Sequence, residues 1–279
     1  MKLKEWINQA VDQLKDNNHS AYLDAELLLM DILQKDHAYV LAHPERELTP
    51  IEEEQLTQFL DRRKASEPIA YILQHKEFWS MDLIVTKEVL IPRPETELLV
   101  EITLATLPKV GEINILDLGT GSGAIALALA KERPHWNIIA TDISNGALNI
   151  AKKNAERHKI FNVHFIQSDW FENLTHYTFH AMVSNPPYIA EGDPHLMQGD
   201  VRFEPRNVLL GGLTGLSAIQ KIIYQSHHYL VSKGYLIFEH GYQQGETIMK
   251  MMQDAGFQHV KDYQDLAGLD RIMIGNFDN

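Results

Sequence analysis

The chain has 279 residues, of which 44% are hydrophobic, and a formal net charge of −13 at pH 7. It has no cysteine, which excludes a disulfide framework and any thiolate chemistry. No apolar run approaches the ~18 residues of a membrane helix, and the amphipathic, acidic start is unlike a signal peptide. The negative charge argues against strong nucleic-acid binding, which depends on neutralising phosphates. We expect a cytoplasmic monomer that binds neither membrane nor stable nucleic acid.

The first part of the chain, residues 1–75, is predicted to be a helical domain. Apolar residues recur at helical spacing around 3–16, and Ser20 is a candidate N-cap for a second helix. The pair Thr49-Pro50 is typical of a third helix start, with threonine as the N-cap and proline at the first helical position. That helix is predicted to end near Arg63, in a basic run interpreted as a solvated helix end.

The pattern changes to strands after the helical region. Residues 69–91 alternate between apolar and polar like a hairpin, so we place a hairpin linker at 76–90. From about residue 95 strands alternate with helices, which favours a mostly parallel sheet covered on both faces. The predicted strands are Ile113–Leu118, Asn137–Thr141, Val163–Gln167, Ala181–Ser184 and Tyr235–Glu239, with an antiparallel closing pair at Val260–Gln264 and Arg271–Gly275. The predicted helices span 94–106, 123–133, 144–158 and 215–232, the last stopped by Gly234.

A glycine-rich turn follows the first strand of this sheet. In Gly119-Thr120-Gly121-Ser122-Gly123 the glycines let the backbone approach a ligand, and the next helix begins with free N–H groups. Asp142, nineteen residues after Gly123, ends the second strand, where a carboxylate can accept from both hydroxyls of a ribose. Asp169 and Trp170 follow the third strand and suit an adenine amino group and ring. The spacing predicts a nucleoside site, but the glycine turn alone does not separate an NAD enzyme from an S-adenosylmethionine enzyme.

A second motif, Asn185-Pro186-Pro187-Tyr188, follows an apolar strand. The prolines have no N–H and restrict the backbone, so the loop presents two acceptors: the Asn185 side-chain oxygen and the Pro186 carbonyl. Two acceptors beside the flat ring of Tyr188 suit a planar NH2 group, such as an amide or an exocyclic amine. The loop provides no hydride-transfer partner, which favours methyl transfer over NAD chemistry.

These motifs together resemble a class I S-adenosylmethionine-dependent methyltransferase, with a Rossmann-like α/β sheet at 91–279. The chain is most similar to the peptide chain release factor N5-glutamine methyltransferases. The segments that carry this resemblance are Asp117–Gly123, Asn185–Tyr188, Ile91-Pro92-Arg93-Pro94-Glu95-Thr96-Glu97, Phe203-Glu204-Pro205, and Glu239-His240-Gly241 with Gln244-Gly245.

The resemblance implies a substrate, a cofactor and roles for individual residues. The substrate would be the glutamine of the Gly-Gly-Gln loop in class-I release factors, with the helical domain docking the factor, and the methyl donor would be S-adenosylmethionine. The glycine turn, Asp142, Asp169, Trp170 and Asn185 are the predicted cofactor-binding residues. Asn185, Pro186 and Tyr188 are predicted to be catalytic. The predicted substrate-binding residues are Asn185, Pro186, Pro187, Tyr188, Arg93 and Glu95.

Other functions stay open on the residues alone. A ribosomal protein would be an alternative glutamine substrate, and an adenine-N6 nucleic-acid methyltransferase would also use an acceptor-rich loop, although the net charge and the short helical domain oppose it. A non-catalytic cofactor-binding module is an alternative of another class. No histidine spacing is typical of a metal site, so no metal is predicted.

Overall fold

The computed structural model describes residues 1–15, 20–197 and 199–278. These fall into two compact units: Met1–Gln74 with Met197–Phe203, and His75–Leu196 with Glu204–Asn279. Among the described residues, every helix is too short or too polar to cross a membrane.

The first unit is helical, as predicted. Its helices are α1 (Leu3–Leu14), α2 (Ala21–Leu33), α3 (His37–Ala42), α4 (Pro50–Lys64) and α5 (Ile69–Leu73). The last residue of the first predicted helix, Asp16, lies outside the described residues. Buried leucines from α1, α2 and α4 form one apolar core for this unit.

The start of α4 confirms the predicted cap. The Thr49 hydroxyl accepts from the Glu52 backbone N–H at 3.3 Å, and the Glu52 carboxylate accepts from the Thr49 N–H at 2.8 Å. This reciprocal pair satisfies two N–H groups that the helix itself leaves unbonded. The end of α4 differs from the prediction, because the Arg63 side chain is only 9% exposed and lies 2.5 Å from the buried Asp24 carboxylate. Arg63 is therefore part of the interior ion pairing of this unit and is not solvated.

A β-hairpin opens the second unit. Strands β1 (His75–Phe78) and β2 (Met81–Ile84) pair antiparallel, and Trp79 and Ser80 both have a φ of 51°. Two consecutive residues with positive φ are typical of the tight turn whose twist matches a hairpin. The predicted hairpin is confirmed for these strands, but residues 69–73 form α5, so the predicted start of alternation was too early.

The main sheet has seven strands in the order β5-β4-β3-β6-β7-β9-β8. The strands are β3 (Asn114–Leu118), β4 (Asn137–Asp142), β5 (Val163–Gln167), β6 (Phe179–Ser184), β7 (Leu230–Glu239), β8 (Gln258–Gln264) and β9 (Asp270–Phe277). The first five in sheet order are parallel, and β9 pairs antiparallel with both β7 and β8. The predicted Rossmann-like sheet with antiparallel closing strands is confirmed.

Helices cover both faces of this sheet. They are α6 (Glu97–Thr106), α7 (Ala124–Glu132), α8 (Asn145–His158), α9 (Arg206–Leu209), α10 (Ser217–Ser226) and α11 (Gly245–Asp254), with 3-10 turns at Pro94–Thr96 and Pro194–Met197. Side chains alternate across each strand, so Ile115 packs into the core that contains α6 and α7, whereas Leu116 packs into the core that contains α10 and α11. Burial on both faces explains the nearly continuous apolar runs of the parallel strands.

The region 215–234 corrects the predicted boundaries. The helix ends at Ser226, and β7 already begins at Leu230, so Gly234 does not stop a helix but lies within the strand, opposite Phe277 of β9. Pairing with distant strands overrides the local helical pattern in this stretch.

The order of the strands in the sheet predicts where a ligand site lies. The chain crosses from β3 to β4 and β5 on one side and then returns to β6 on the other side of β3. Ligands of open parallel sheets bind outside the carboxyl ends of the strands at such a reversal. The loops after β3, β4, β5 and β6 therefore meet at one edge.

Candidate active site

The glycine turn between β3 and α7 is shaped to leave room for a ligand. Gly119, Gly121 and Gly123 have φ angles of 71°, 55° and 85°, a region that favours glycine. A Cβ at Gly119 or Gly121 would meet open space, whereas a Cβ at Gly123 would lie 3.2 Å from the Cβ of Ala151. The first two glycines thus leave a cradle, and Gly123 allows α7 and α8 to pack closely.

Two aspartates accept hydrogen bonds from residues of this turn. Thr120 Oγ1 donates to Asp117 Oδ2 at 2.6 Å, and burial raises the pKa of the Asp117 carboxyl to about 7. Asp142 Oδ2 accepts from the Gly121 N–H and Oδ1 from the Ser144 N–H, each at 2.9 Å. Burial also raises the pKa of Asp142. Each Asp142 oxygen has a second lone pair, so the carboxylate can hold the turn and still accept from a ligand hydroxyl.

The loop after β5 carries the predicted adenine-binding residues. Trp170 has a φ of 52°, and Asp169 Oδ1 accepts from Lys221 Nζ of α10 at 2.9 Å. Lys221, which the sequence analysis did not single out, therefore holds the carboxylate at the mouth of this loop.

The Asn185-Pro186-Pro187-Tyr188 loop is anchored at both ends by hydrogen bonds. Asn185 Nδ2 donates to Thr96 Oγ1 at 3.1 Å, and the Tyr188 hydroxyl donates to Glu239 Oε1 at 2.9 Å. Burial and the Glu239 carboxylate raise the pKa of the Tyr188 hydroxyl, which therefore stays protonated as a donor. The Tyr188 carbonyl accepts from Gln244 Nε2 at 3.0 Å.

One cavity of about 490 Å³ connects these loops. The predicted site residues that line it are Gly119, Thr120, Gly121, Ser122, Asp142, Asp169, Trp170, Asn185 and Pro187. The predicted site residues that do not line it are Arg93, Glu95, Gly123, Pro186 and Tyr188. The volume suits a ligand of nucleoside size or larger. The residues predicted to bind a nucleoside, apart from Gly123, thus line the same cavity as Asn185.

Known proteins match the chain over nearly its whole length. Residues 5–73 match the PrmC N-terminal domain, and residues 95–200 match the methyltransferase small domain. A release factor glutamine methyltransferase from Coxiella burnetii is 49% identical over 274 residues, which cover 98% of each chain. One from Escherichia coli K12 is 46% identical over 277 residues, which cover 99% of each chain.

The chain belongs to the release factor glutamine methyltransferase family. It is therefore an enzyme that transfers methyl groups, as the sequence motifs predicted. A solved structure of a methyltransferase from Pyrococcus furiosus, at 19% identity, superposes with a TM-score of 0.55 over 80% of this chain and 98% of that chain. At this identity the likeness confirms the class I methyltransferase fold and nothing further.

Arg93 and Glu95 of this methyltransferase lie in the turn before α6. Arg93 donates to Glu204 Oε2 at 2.6 Å, and the Glu204 side chain is fully buried. This pair joins two segments that carried the family resemblance, Ile91–Glu97 and Phe203–Pro205. Direct substrate contact by Arg93 and Glu95 stays a prediction.

Two residues that hydrogen-bond to the Asn185–Tyr188 loop, Thr96 and Glu239, were not singled out individually from the sequence. Both lay in segments that resembled family signatures, but nothing in either segment showed that the two side chains meet. Their oxygens are 2.6 Å apart although they are separated by 143 residues in the chain. The sheet topology puts the end of β7, which carries Glu239, beside the end of β6, which Asn185 follows.

Proposed function

We propose that the protein transfers a methyl group from S-adenosylmethionine to the side-chain amide N5 of the glutamine in the Gly-Gly-Gln loop of class-I peptide chain release factors. The observation that carries this proposal is the shared cavity, where the glycine cradle and Asp142 face the same space as Asn185. The relatives from C. burnetii and E. coli, which bear the name release factor glutamine methyltransferase, support the choice of substrate.

The residues of the cavity fit the cofactor. A Cβ at Gly119 or Gly121 would occupy open space beside the turn, so the absence of a side chain leaves room for a ligand. Asp142 would accept from the ribose hydroxyls, Asp169 would accept from the adenine amino group, and Trp170 would pack on the ring. When bound, S-adenosylmethionine supplies a methyl group already activated by a positively charged sulfur.

The chain itself must make a poor nucleophile reactive. The lone pair of an amide nitrogen is delocalised, and no side chain here is basic enough to deprotonate it at neutral pH. We propose that Asn185 Oδ1 and the Pro186 carbonyl accept from the two amide hydrogens, which orients the nitrogen and disfavours its flat geometry. Alignment of this kind contributes several kcal/mol, and preorganised dipoles contribute further.

Tyr188 would pack against the plane of the glutamine amide. Its hydrogen bond to Glu239 holds the ring in one orientation, so little ordering is left for substrate binding. The proton would leave during or after methyl transfer, and no strong base is required.

The helical unit would dock the release factor. We further propose that the enzyme is a monomer and that it acts in the cytoplasm, where translation would supply its partner. The domain division at 1–75, 76–90 and 91–279 stays our proposal for where docking ends and catalysis begins.

The test is transfer of labelled methyl from S-adenosylmethionine to purified, unmethylated release factor. The same factor with Gln→Ala in the Gly-Gly-Gln loop, a ribosomal protein and DNA are incubated in parallel. We expect label on the intact factor and none on the Gln→Ala factor. Label on ribosomal protein or DNA alone would contradict the proposed substrate, and no label anywhere with cofactor bound would support a binding module.

Replacement of Asn185 tests the mechanism. Asn185→Ala should lower kcat by about 10²–10³-fold, in the range seen when one preorganised polar group is removed, and leave cofactor affinity largely intact. The matched control is Asn137→Ala, an exposed asparagine at the opposite end of β4 from the site. Near-normal turnover by Asn185→Ala would overturn the assignment.

A further inference from the structure

Three side chains from distant segments form a hydrogen-bonded chain behind the Asn185 loop. Thr96 ends the 3-10 turn before α6, Glu239 ends β7, and Asn185 directly follows β6. Thr96 Oγ1 donates to Glu239 Oε2 at 2.6 Å, and Asn185 Nδ2 donates to Thr96 Oγ1 at 3.1 Å. Thr96 is 4% exposed and Glu239 is 1% exposed, so the hydrogen bond between these two side chains is shielded from water.

The direction of this chain follows from the chemistry of its last member. Burial raises the pKa of the Glu239 carboxyl, whereas the hydrogen bonds from Thr96 and Tyr188 and the charge of Arg271 favour its ionised form. In that form the carboxylate only accepts hydrogen bonds, and a hydroxyl has a single proton to give. Because the Thr96 proton is committed to Glu239, Thr96 has only lone pairs left for its other neighbour. Asn185 must then present its NH2 group to Thr96, and its side-chain oxygen is left on the other side.

We infer that Thr96, oriented by Glu239, is a positioning residue that sets which way the Asn185 amide faces. The inference rests on the proposed function, in which Asn185 Oδ1 accepts from the substrate amide. In the part of the chain that the structure describes, no donor reaches Asn185 Oδ1, and Asn185 and Thr96 both line the cavity. The oxygen is thus held available for a ligand NH2 group.

The opposite orientation would be unproductive. If Thr96 donated to Asn185, the Asn185 side-chain nitrogen would take the place of the oxygen in the cavity. An NH2 group would then face the NH2 group of the glutamine, and neither can accept. A side chain with two nearly isosteric orientations therefore needs a partner of one fixed polarity, which the Thr96–Glu239 pair supplies.

Glu239 also anchors the other end of the loop. Its Oε1 accepts from the Tyr188 hydroxyl at 2.9 Å, while its Oε2 accepts from Thr96. One buried carboxylate thus orients Asn185 through Thr96 and holds Tyr188 directly. With both oxygens engaged, neither donor can rotate away without leaving the carboxylate under-bonded, which is costly in the interior.

The experiment compares three variants of the full-length enzyme. Thr96→Val removes the hydroxyl at nearly constant volume, and Thr96→Ser keeps it. The control, Thr103→Val, removes another fully buried threonine hydroxyl, which donates to the Leu99 carbonyl in the same α6 helix. We expect Thr96→Val to lower kcat by about 10²-fold, because misalignment of a reacting group has this size of effect. Cofactor affinity should be unchanged, and Thr96→Ser and Thr103→Val should retain kcat within about 3-fold.

A second readout does not depend on the substrate. Side-chain amide signals are recorded by ¹⁵N NMR, and the Asn185 pair is identified by its absence in Asn185→Ala. We expect a large difference between the ¹H chemical shifts of the two protons in the wild type and in Thr96→Ser. In Thr96→Val this difference should fall towards that of an unconstrained asparagine amide, because the NH2 group loses its fixed partner.

The two readouts separate the failure of the inference from failure of the proposed function. A wild-type enzyme that does not label release factor would refute the proposed substrate, and the NMR signals would still test the inference. Unchanged kcat in Thr96→Val, an equal loss in Thr96→Ser or Thr103→Val, or an Asn185 signal that is indifferent to Thr96→Val would each overturn the inference.

Discussion

The buried Asp117 should make the second unit, which contains the main sheet, less stable as the pH rises towards neutrality. Its carboxyl is fully buried at the end of β3, and burial raises its pKa from 3.8 to about 7. The Thr120 hydroxyl and the Ala126 backbone oppose this rise, and the nearby Asp142 charge adds to it. The pKa difference corresponds to about 4 kcal/mol between the two protonation states.

The sign follows from which state holds the proton more tightly. The folded protein binds the Asp117 proton more tightly than the unfolded chain, so the stabilisation is complete below pH 3.8 and is lost as the pH rises through about 7. Asp117→Asn keeps the shape and an acceptor for Thr120 but cannot ionise. The free energy of unfolding of the variant minus that of the wild type should therefore rise by about 2–3 kcal/mol from pH 5 to pH 8.

Urea unfolding followed by tryptophan fluorescence at pH 5, 6, 7 and 8 measures this difference. Only its change with pH is interpreted, because the constant part includes any effect of the new amide on packing. Asp254→Asn, at an exposed position in α11, is the matched control and should show a difference that does not vary with pH. A difference for Asp117→Asn that is equally flat would refute the reasoning.

Two further predictions concern the glycine turn and the helical unit. Gly121→Ala should lower the free energy of unfolding by only about 1–2 kcal/mol, because the new Cβ strains the positive-φ backbone but meets open space. The same variant should bind S-adenosylmethionine more weakly in calorimetry. Gly123→Ala should lower the free energy of unfolding more, because its Cβ would also press on Ala151. Equal losses of stability in the two variants would contradict the inference that a Cβ has room at Gly121 and no room at Gly123. Arg63→Ala should destabilise the helical unit by about 3–5 kcal/mol in urea unfolding by leaving the Asp24 carboxylate buried without this partner, and adding Asp24→Asn should recover much of the loss. A double variant as unstable as Arg63→Ala would argue against the buried charge as the cause.

The sheet was predictable because its strands are buried on both faces. The run Ile113–Leu118 is apolar apart from Asn114 and Asp117, and the glycine turn marks where the first strand ends, so the order of elements follows from local signals. The wrong boundaries at 215–234 arose because the prediction used only such local signals. Locally the stretch continues a helical pattern up to Gly234, but residues 230–239 pair with β6 and β9, and those partners are distant in the chain.

The candidate site was predictable where its residues sit directly after strands. Asp142 ends β4, and Asp169 and Asn185 follow the carboxyl ends of β5 and β6, so their convergence at one edge of the parallel sheet follows from the fold class. Lys221 was missed because it reaches the cavity from a helix, where a lysine is usually solvated. Arg63 was misread for a similar reason, since its buried partner Asp24 lies in another helix.

Which of two side chains donates a hydrogen bond is harder to predict from the sequence than the contact between them. Thr96 and Asn185 are each able to donate or accept, so a motif that names them leaves the direction between them undetermined. A group that can only accept, when ionised, resolves the ambiguity, and here that group is Glu239, 143 residues beyond Thr96. In our proposal the reactive orientation of Asn185 is thus set by a carboxylate that never touches the substrate. Changes at Glu239 should therefore impair the loop even when every residue of Asn185–Tyr188 is intact.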